Sequence, residues 1–548
     1  MSAPIPPLEG LRRAVLEVVE ELAPEPPARA AITLEHPRRA QFGDYSTNAA
    51  LLLAPILGAP PREIAERVGA ALQARIGSSL ERFEVAGPGF VNLFMGDSWL
   101  TGALAEVLAA GEAFGAGGPG KPERVLVEFV SANPTGPMHV GHARNAAYGD
   151  ALARMLAMHG HIVSREFYVN DAGSQVGKFG ESIQALARGE ELPEGGYKGD
   201  YIAELAAEIP DASTLDVEEL GQRAVGLMVK AIETTLAGFR VEPFDHWFFE
   251  SALHEGDPSP VAHSLAILAE QGSTYEQEGA LWLRTTEFGD DKDRVLVRSN
   301  GEHTYFASDI AYHQDKRERG FQRQIDVWGA DHHGYVLRMK AAYEALGGDP
   351  EELELLIMQL VHLMRSGERE QMSKRAGQFV SLEDLLREIG LDAARWYLLA
   401  RSHDTTLDLD LDLAREQSNE NPVYYVQYAH ARIASMLARA GEERVSAAVA
   451  AVGEGKLEPL EPAERALIEQ LLAFPAELAE AVERRAPHRI AAYALELAQG
   501  FTAFYRDCRV LGAEPEIVES LRIALCVASG GTIARCLSLL GVSAPEHM

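Results

Sequence analysis

The sequence has few cysteines, and this excludes two kinds of protein. Cys508, Cys526 and Cys536 are the only three among 548 residues, and no two of them form a Cys-x-x-Cys pair. Neither a disulfide framework nor a zinc knuckle is supported by this spacing. We therefore expect no zinc and no other bound structural metal.

Long apolar runs are also lacking. No run reaches the ~18 residues of a membrane helix. The first ten residues, MSAPIPPLEG, have neither the basic nor the apolar region of a signal peptide. We expect a cytoplasmic protein with no membrane association.

Basic residues are outnumbered by acidic ones, 50 against 82, which gives a net charge of −32. A protein that coats nucleic acid without specificity would be basic overall, so that class is excluded. Specific RNA recognition stays open, because local arginine patches can lie on an acidic, soluble body.

What the sequence does contain is one informative stretch from Val125 to Asp150. Val125 to Val130 is an apolar run typical of a buried parallel strand, Ser131 to Pro137 is a turn rich in proline and glycine, and helical spacing begins near His142. His139-Val-Gly141-His142 lies between turn and helix. A helix start binds phosphate through its free N–H groups, glycine lets a ligand approach the backbone, and histidines donate hydrogen bonds to phosphate.

Chance alone must be weighed against that interpretation. A His-x-Gly-His string is expected in about one chain in twenty of this length and composition. Its position between a strand and a helix strengthens the signal.

A second motif, Gln371-Met372-Ser373-Lys374-Arg375-Ala376-Gly377, follows a predicted buried strand. This basic, polar loop suits a mobile lid in which Lys374 brings a point charge to a polyphosphate leaving group. A lone Lys-Arg pair would more often be a solvated loop. Following His-x-Gly-His in the same chain, it favours the lid.

The pattern of elements predicts a multidomain α/β protein. Strands alternating with helices indicate a doubly wound parallel sheet, with ligands at the carboxyl ends of the strands. Asn133, Asp171, Asp309, Asp331 and His332 all follow such ends. The predicted parts are a small α+β domain (1–105), a flexible linker (106–122), a Rossmann-like core (123–380) with a helical insertion at about 175–290, a connecting segment (381–420) and an all-α bundle (421–548).

Two stretches outside the core leave their roles open. Arg38 and Arg39 with Phe42 and Tyr45 could contact RNA by charge and stacking, or form an ordinary solvated loop. The alternating stretch from Asp404 to Asp412 could be a half-exposed extended piece or a tight connector.

These residues carry a family resemblance. HVGH at 139–142 and QMSKR at 371–375 resemble the two signature motifs of class I aminoacyl-tRNA synthetases, although Gln371 stands where the signature has its first lysine. The rest of the chain is similar to one family of that class, the arginyl-tRNA synthetases of bacterial type. The matching stretches are SANPTGPMHVGHARN (131–145), YVNDAG (168–173), TYFASDIAYH (304–313), VWGADHHGY (327–335) and SNENPVYYVQYAHAR (418–432).

The resemblance implies a reaction and its partners. ATP, as its Mg²⁺ complex, would activate L-arginine, and the arginyl group would pass to the 2′-hydroxyl of the terminal adenosine of tRNA(Arg). The N-terminal domain would contact the tRNA elbow, the bundle would bind the anticodon, activation would wait for bound tRNA, and the protein would be a monomer.

The resemblance also implies the site residues. They are catalytic His139, His142 and Lys374; ATP-binding Pro137, His139, Gly141, His142, Met372, Ser373 and Lys374; and arginine-binding Glu128, Ser131, Asn133, His142, Asp171, Tyr305, Asp309 and His332.

Alternatives remain at this stage. A small-molecule nucleotidyltransferase also uses His-x-Gly-His but needs neither terminal domain, and a non-catalytic paralogue could bind RNA without chemistry. Glu128 could be paired with a core arginine instead of a substrate, since a charge in a buried strand is costly alone. Asp309 could be a first-turn helix residue favoured by the helix dipole.

Overall fold

The computed structural model describes residues 7–37, 39–118, 120–370, 380–453 and 459–548. It begins with an α+β domain whose four-stranded antiparallel sheet has the order β1-β2-β4-β3. Helix α3 (Pro61–Ile76) packs closely on strand β3 (Leu80–Ala86): a Cβ added at Gly69 would lie only 2.2 Å from the ring of Phe83. The elements are α1 Pro7–Leu22, β1 Leu34–Glu35, β2 Tyr45–Thr47, α2 Ala49–Leu57, α3 Pro61–Ile76, β3 Leu80–Ala86, β4 Phe90–Met95 and α4 Asp97–Ala110.

The sequence predicts a flexible linker at residues 106–122. The described part of this segment packs against the rest of the protein. Helix α4 continues to Ala110, and a short 3-10 turn follows. Phe114 is buried, with its ring 6.0 Å from that of Phe474. The N–H of Gly117 donates to the carbonyl of Met158. An apolar side chain inside this segment therefore anchors it to the helical bundle.

The central domain holds a five-stranded parallel sheet in the order β12-β11-β5-β6-β7. This confirms the predicted doubly wound core. Its elements are β5 Arg124–Glu128, α5 Val140–Met158, β6 Ile162–Val169, α6 Ser174–Arg188, α7 Asp200–Glu208, α8 Val217–Gly238, β7 His246–Phe249, α9 Pro260–Glu270, β8 Thr274–Gln277, β9 Ala280–Leu283, β10 Arg294–Val297, α10 Tyr305–Glu318, β11 Arg323–Gly329, α11 Val336–Ala345 and β12 Leu353–Met358.

The stretch at 175–290 is only partly the helical insertion that the sequence predicts. Helices α6 to α8 are followed by β7, which adds the outer strand of the parallel sheet beside β6. Strands β8, β9 and β10 then form a separate antiparallel sheet. Strand β7 has only four residues and is flanked by the polar Asp245 and Glu250. So short a run cannot be recognised from the sequence as a strand of the parallel sheet.

A connecting segment joins the core to the bundle. The stretch from Asp404 to Asp412, left open above, contains a strand that pairs in parallel with β13. Its buried leucines face inward and its acids outward. The elements are β13 Val361–Arg365, β14 Glu368–Arg369, α12 Leu382–Ile389, α13 Leu391–Leu399, β15 Leu407–Asp410 and α14 Leu411–Arg415.

The C-terminal part is the predicted all-α bundle: α15 Pro422–Ala440, α16 Glu442–Gly453, α17 Pro462–Glu483, α18 Pro487–Asp507 and α19 Glu516–Leu539. Helix α19 is long and apolar enough to cross a membrane by length and composition alone. It packs against the other four helices of the bundle, and Cys526 and Cys536 on it are buried. Its apolar character is that of a core helix.

Candidate active site

The HVGH motif caps helix α5. His139 is the residue before the helix, and its Nδ1 accepts a hydrogen bond of 3.1 Å from the N–H of Gly141. The N–H of His139 in turn lies 3.5 Å from Nδ1 of His142, and the two rings stack at 3.7 Å. In both rings Nδ1 faces a backbone donor, so the ring proton belongs on Nε2. Both imidazoles are thus arranged as Nε2–H donors.

Burial keeps these histidines neutral. It lowers the pKa of His139, and it lowers the pKa of His142 to about 3, with a further contribution from the neighbouring His139. At neutral pH the motif offers uncharged donors, and the positive potential comes from the helix start. This combination can bind a polyphosphate without bringing two buried cations together.

The chain after the second motif lies against the first. The N–H of Val140 donates to the carbonyl of Val380 at 3.3 Å, and the N–H of Leu382 donates to the carbonyl of Met138 at 3.0 Å. Gln371, Met372, Ser373 and Lys374 lie outside the described residues. The described chain resumes at Val380, beside the HVGH turn.

Glu128 is the last residue of strand β5, and the negative charge of its carboxylate is balanced by a lysine of the core. Its Oε2 accepts from Nζ of the buried Lys316 at 2.6 Å, and its Oε1 accepts from Oγ of Ser131 at 2.8 Å. Lys316 also donates to Asp326 at 2.8 Å. The core ion pair left open above therefore exists, with lysine in place of arginine. Burial raises the pKa of Glu128, and the charge of Lys316 opposes that shift.

The carboxylate of Asp171 also accepts hydrogen bonds from within the protein. Its two carboxylate oxygens accept from the N–H of Ser251 at 2.9 Å and from Oγ of Ser251 at 2.7 Å. Ser251 belongs to the 3-10 turn Glu250–His254. Asp171 therefore holds this turn against the carboxyl end of β6.

That turn supplies Glu250, a residue that sequence reasoning missed. Glu250 is buried, and burial together with the charges of Asp309 and Asp171 raises its pKa to about 7, although a hydrogen bond from Tyr168 acts in the opposite direction. Asp309 accepts a hydrogen bond from the hydroxyl of Tyr335, and burial raises its pKa.

We call Glu250, Asp309, Tyr168 and Tyr335 the acidic pocket. Within the described part of the chain, neither of its carboxylates is in a salt bridge, in contrast to Glu128. The pKa values of both carboxylates are raised by desolvation, and their like charges disfavour each other until a cation arrives. The pocket is therefore complementary to a positively charged ligand.

The other predicted arginine contacts are more exposed. Tyr305 begins α10 and is 65% exposed, and its hydroxyl approaches Gly173. His332 is exposed beside Asp331, with Nε2 3.6 Å from Oδ2. Asn133 is exposed on the turn before α5, and so is Pro137 of the predicted ATP site. Helix α10 brings Tyr305 and Asp309 to the same side one turn apart.

Comparison with known proteins decides the family. Family models match three parts of the chain: an arginyl-tRNA synthetase N-terminal domain (9–95), a class I (R) tRNA synthetase catalytic domain (104–193 and 257–434) and a DALR anticodon-binding domain (426–548). The arginine–tRNA ligases of Geobacillus thermodenitrificans and Geobacillus kaustophilus are 47% and 46% identical, each over 98% of both chains. The chain belongs to the arginyl-tRNA synthetase family.

Solved structures agree with that assignment. The Thermus thermophilus arginyl-tRNA synthetase superposes with a TM-score of 0.75 and 26% identity, over 98% of this chain and 99% of that one. A Mycobacterium tuberculosis methionyl-tRNA synthetase shares the fold at a TM-score of 0.54 and 13% identity, covering 77% of this chain and 92% of that one. The class I type of the core is given by the matched catalytic-domain family.

The helical bundle has an exposed aromatic surface. The rings of Tyr424 and Tyr428 stack at 6.1 Å. The guanidinium of Arg432 lies 4.7 Å from the ring of Tyr428 and 5.2 Å from that of Tyr505. Tyr428 and Tyr505 are 38% and 42% exposed. We call these four residues the tyrosine patch; its flat rings and cation suit unpaired RNA bases.

In the N-terminal domain, Phe42 is 40% exposed, whereas Tyr45 is buried with its ring against Trp99. Tyr45 is therefore a core residue, which corrects the suggestion that it stacks on RNA. Arg38 lies outside the described residues. Asp44 accepts a hydrogen bond from Arg465 of the bundle at 3.1 Å, so this loop also joins the two terminal domains.

Proposed function

We propose that the chain is an arginine–tRNA ligase. It activates L-arginine with ATP, giving arginyl-adenylate and pyrophosphate, and then transfers the arginyl group to the 2′-hydroxyl of the terminal adenosine of tRNA(Arg). The observation that carries this proposal is the acidic pocket beside a capped HVGH helix on a class I core.

Arginine selection follows from the charges in the pocket. A guanidinium is planar, carries five N–H donors and never loses its proton. Asp309 and Glu250 offer the uncompensated carboxylates that such a cation requires, and the hydroxyls of Tyr168 and Tyr335 orient them. Ser131, Asn133, Tyr305 and His332 remain proposed contacts to the rest of the amino acid.

Glu128 and Asp171 have a different place in the proposal. The carboxylate of Glu128 accepts hydrogen bonds from Lys316 and Ser131, and the carboxylate of Asp171 accepts from Ser251. We assign them mainly to positioning: Glu128 orients Ser131, and Asp171 places the turn that carries Glu250. A second lone pair on each oxygen still allows a contact with the substrate ammonium.

ATP binds in this proposal at the HVGH turn. Pro137 and Gly141 leave room for the nucleotide, while His139 and His142 donate to the triphosphate through Nε2–H. Met372, Ser373 and Lys374, which lie outside the described residues, are the further proposed contacts to ATP, and Mg²⁺ arrives with ATP as part of the substrate complex.

The activation step needs no general base, because the arginine carboxylate is already ionised. Its oxygen attacks the α-phosphorus, the bond from that phosphorus to the bridging oxygen breaks, and pyrophosphate leaves with the bonding electrons. Catalysis is then positioning plus stabilisation of charge on the phosphate oxygens. The two neutral histidines and Lys374 supply that stabilisation.

The tRNA spans the remaining domains. The tyrosine patch stacks on anticodon bases, and the exposed Phe42 contacts the tRNA elbow. Both predicted roles agree with the domain arrangement proposed from the sequence, in which residues 1–105 and 421–548 flank the catalytic core. We also propose that the protein acts as a monomer in the cytoplasm.

A charging assay tests the function. Purified protein, ATP, Mg²⁺, labelled L-arginine and tRNA are incubated, and label in acid-precipitable RNA is measured. We expect labelling that requires ATP and is lost with labelled lysine. Labelling absent under all conditions, with folded protein and intact tRNA, would contradict the proposal.

A further inference from the structure

The turn that follows strand β5 is strained. Val130 has φ 69° and Ser131 has φ 39°, so two consecutive residues other than glycine adopt left-handed backbone. A β-branched residue rarely adopts positive φ, because its Cβ substituents crowd the backbone. Val130 is also buried. Such a conformation persists only where the surroundings hold it, and these places cluster at ligand sites.

The strain has a definite consequence for Ser131. Its N–H donates to the carbonyl of Phe129 at 3.0 Å, closing a three-residue γ-turn around Val130 in the rare form with positive φ. This γ-turn reverses the direction of the chain directly after strand β5. Oγ of Ser131 donates to Glu128, and it accepts from the N–H of Tyr168 at 3.1 Å.

One side chain, Asn145, holds the turn. Its Oδ1 accepts from the N–H of Val130 at 2.7 Å, and its Nδ2 donates to the carbonyl of Val327 at 2.8 Å. The ladder between β5 and β11 ends at the pairing of Glu128 with Asp326. The buried carboxamide of Asn145 takes the place of the next rung, where the sheet order reverses and ligands bind in this class of fold.

We propose that Asn145 is a positioning residue for arginine recognition, and this inference rests on the proposed function. Its carboxamide clamps the strained turn between two strands and so sets the position of Ser131 beside the acidic pocket. Asn145 lies one turn after His142 on α5. The first turn of α5 therefore positions the groups of the nucleotide site, and its second turn positions the groups of the amino-acid site.

Substitution separates this role from simple packing. Asn145→Ala removes both hydrogen bonds, and we expect the KM for arginine in pyrophosphate exchange to rise at least tenfold while the KM for ATP stays within twofold. Gln184→Ala is the matched control, since it removes a buried carboxamide on α6 that donates to the carbonyl of Leu215, in the connection between α7 and α8. This control should leave both KM values within twofold.

A second substitution tests the strain directly. Glycine adopts positive φ without steric cost. In the Asn145→Ala background, Val130→Gly should therefore lower the KM for arginine at least threefold towards the wild-type value. If Asn145 were only a packing residue, the second change would add a cavity and improve nothing.

The failing outcomes are distinct. An unchanged KM for arginine in folded Asn145→Ala, or equal rises for arginine and ATP, overturns the inference. If that variant does not fold, Asn145→Asp keeps the volume and the acceptor but loses the donation to Val327; its KM for arginine should rise at least fivefold, and an unchanged value also overturns the inference. Wild-type protein without exchange activity in the presence of tRNA would instead refute the proposed function itself.

Discussion

The N–H of Gly141 donates to Nδ1 of His139 at 3.1 Å, and this contact determines which edge of the imidazole carries the proton. A neutral Nε2–H donor results, held at the helix start where a phosphate binds. Because burial lowers the pKa of the ring, the donor is present without a charge. The contact also leaves no space for a side chain at residue 141.

The first prediction uses that lack of space. A Cβ at Gly141 would lie 2.9 Å from Cε1 of His139, so Gly141→Ala displaces the ring. We expect the KM for ATP to rise at least fivefold, without loss of thermal stability, since alanine favours the helix by up to about 1 kcal/mol. Pyrophosphate exchange and a melting curve measure the two effects.

Gly177→Ala provides the control for this experiment. Gly177 lies inside α6 with no atom within 4 Å of an added Cβ. It should leave exchange kinetics unchanged. Equal kinetics for Gly141→Ala and wild type would show that the ring of His139 is not an ATP contact.

The second prediction concerns the pH dependence of arginine binding. The pKa of Glu250 is raised to about 7 in the free pocket, and a bound guanidinium lowers it. Arginine therefore prefers the ionised form, and its affinity falls as pH decreases through 7. We expect the KM for arginine to rise about tenfold from pH 8 to pH 6, as one proton-linked group requires.

Glu250→Gln identifies the source of that dependence. The variant should have a high KM for arginine that changes less than threefold over the same pH range, while the KM for ATP serves as the internal reference. A wild-type profile that is flat from pH 8 to pH 6 would mean that Glu250 does not meet the substrate.

The third prediction concerns Asp309, which is not a first-turn residue because α10 begins at Tyr305 and its first turn holds no acidic residue. Asp309→Asn should raise the KM for arginine tenfold or more, about 1.5–3 kcal/mol for a lost charge-assisted contact. Glu318→Gln, at the exposed end of the same helix, should have no effect. An unchanged KM for arginine in Asp309→Asn would place the guanidinium elsewhere.

The fourth prediction concerns the tyrosine patch. Loss of one stacking ring costs about 1–3 kcal/mol per base. Tyr428→Ala should therefore raise the KM for tRNA in charging at least fivefold and leave the KM for ATP unchanged. Tyr275→Ala, which removes a ring stacked on Trp282 away from the bundle, is the control. Equal KM values for tRNA would exclude the patch as an RNA contact.

Local sequence was sufficient for some of this site. His139, Gly141 and His142 could be predicted because strand, turn and helix follow one another within 26 residues. The parallel sheet was predictable from its alternating elements. These features depend on short-range pattern.

Other parts depend on contacts between distant residues. Glu250 follows a four-residue strand and has no motif, and it is brought to the pocket by Asp171, about 80 positions earlier. The partner of Glu128 is Lys316, 188 positions away, so the sequence indicated that a cation was needed but not which one. Long-range packing decides such pairs, and periodicity does not report it.

The most direct test of the account compares L-arginine with L-citrulline, whose neutral urea has nearly the same shape as the guanidinium. Pyrophosphate exchange is measured with each amino acid, with and without tRNA. If the acidic pocket recognises the cation, arginine with tRNA supports exchange and citrulline is poorer by about 10³-fold or more, because its binding leaves buried carboxylates unpaired. Comparable exchange with citrulline, or none with arginine and tRNA, would contradict it.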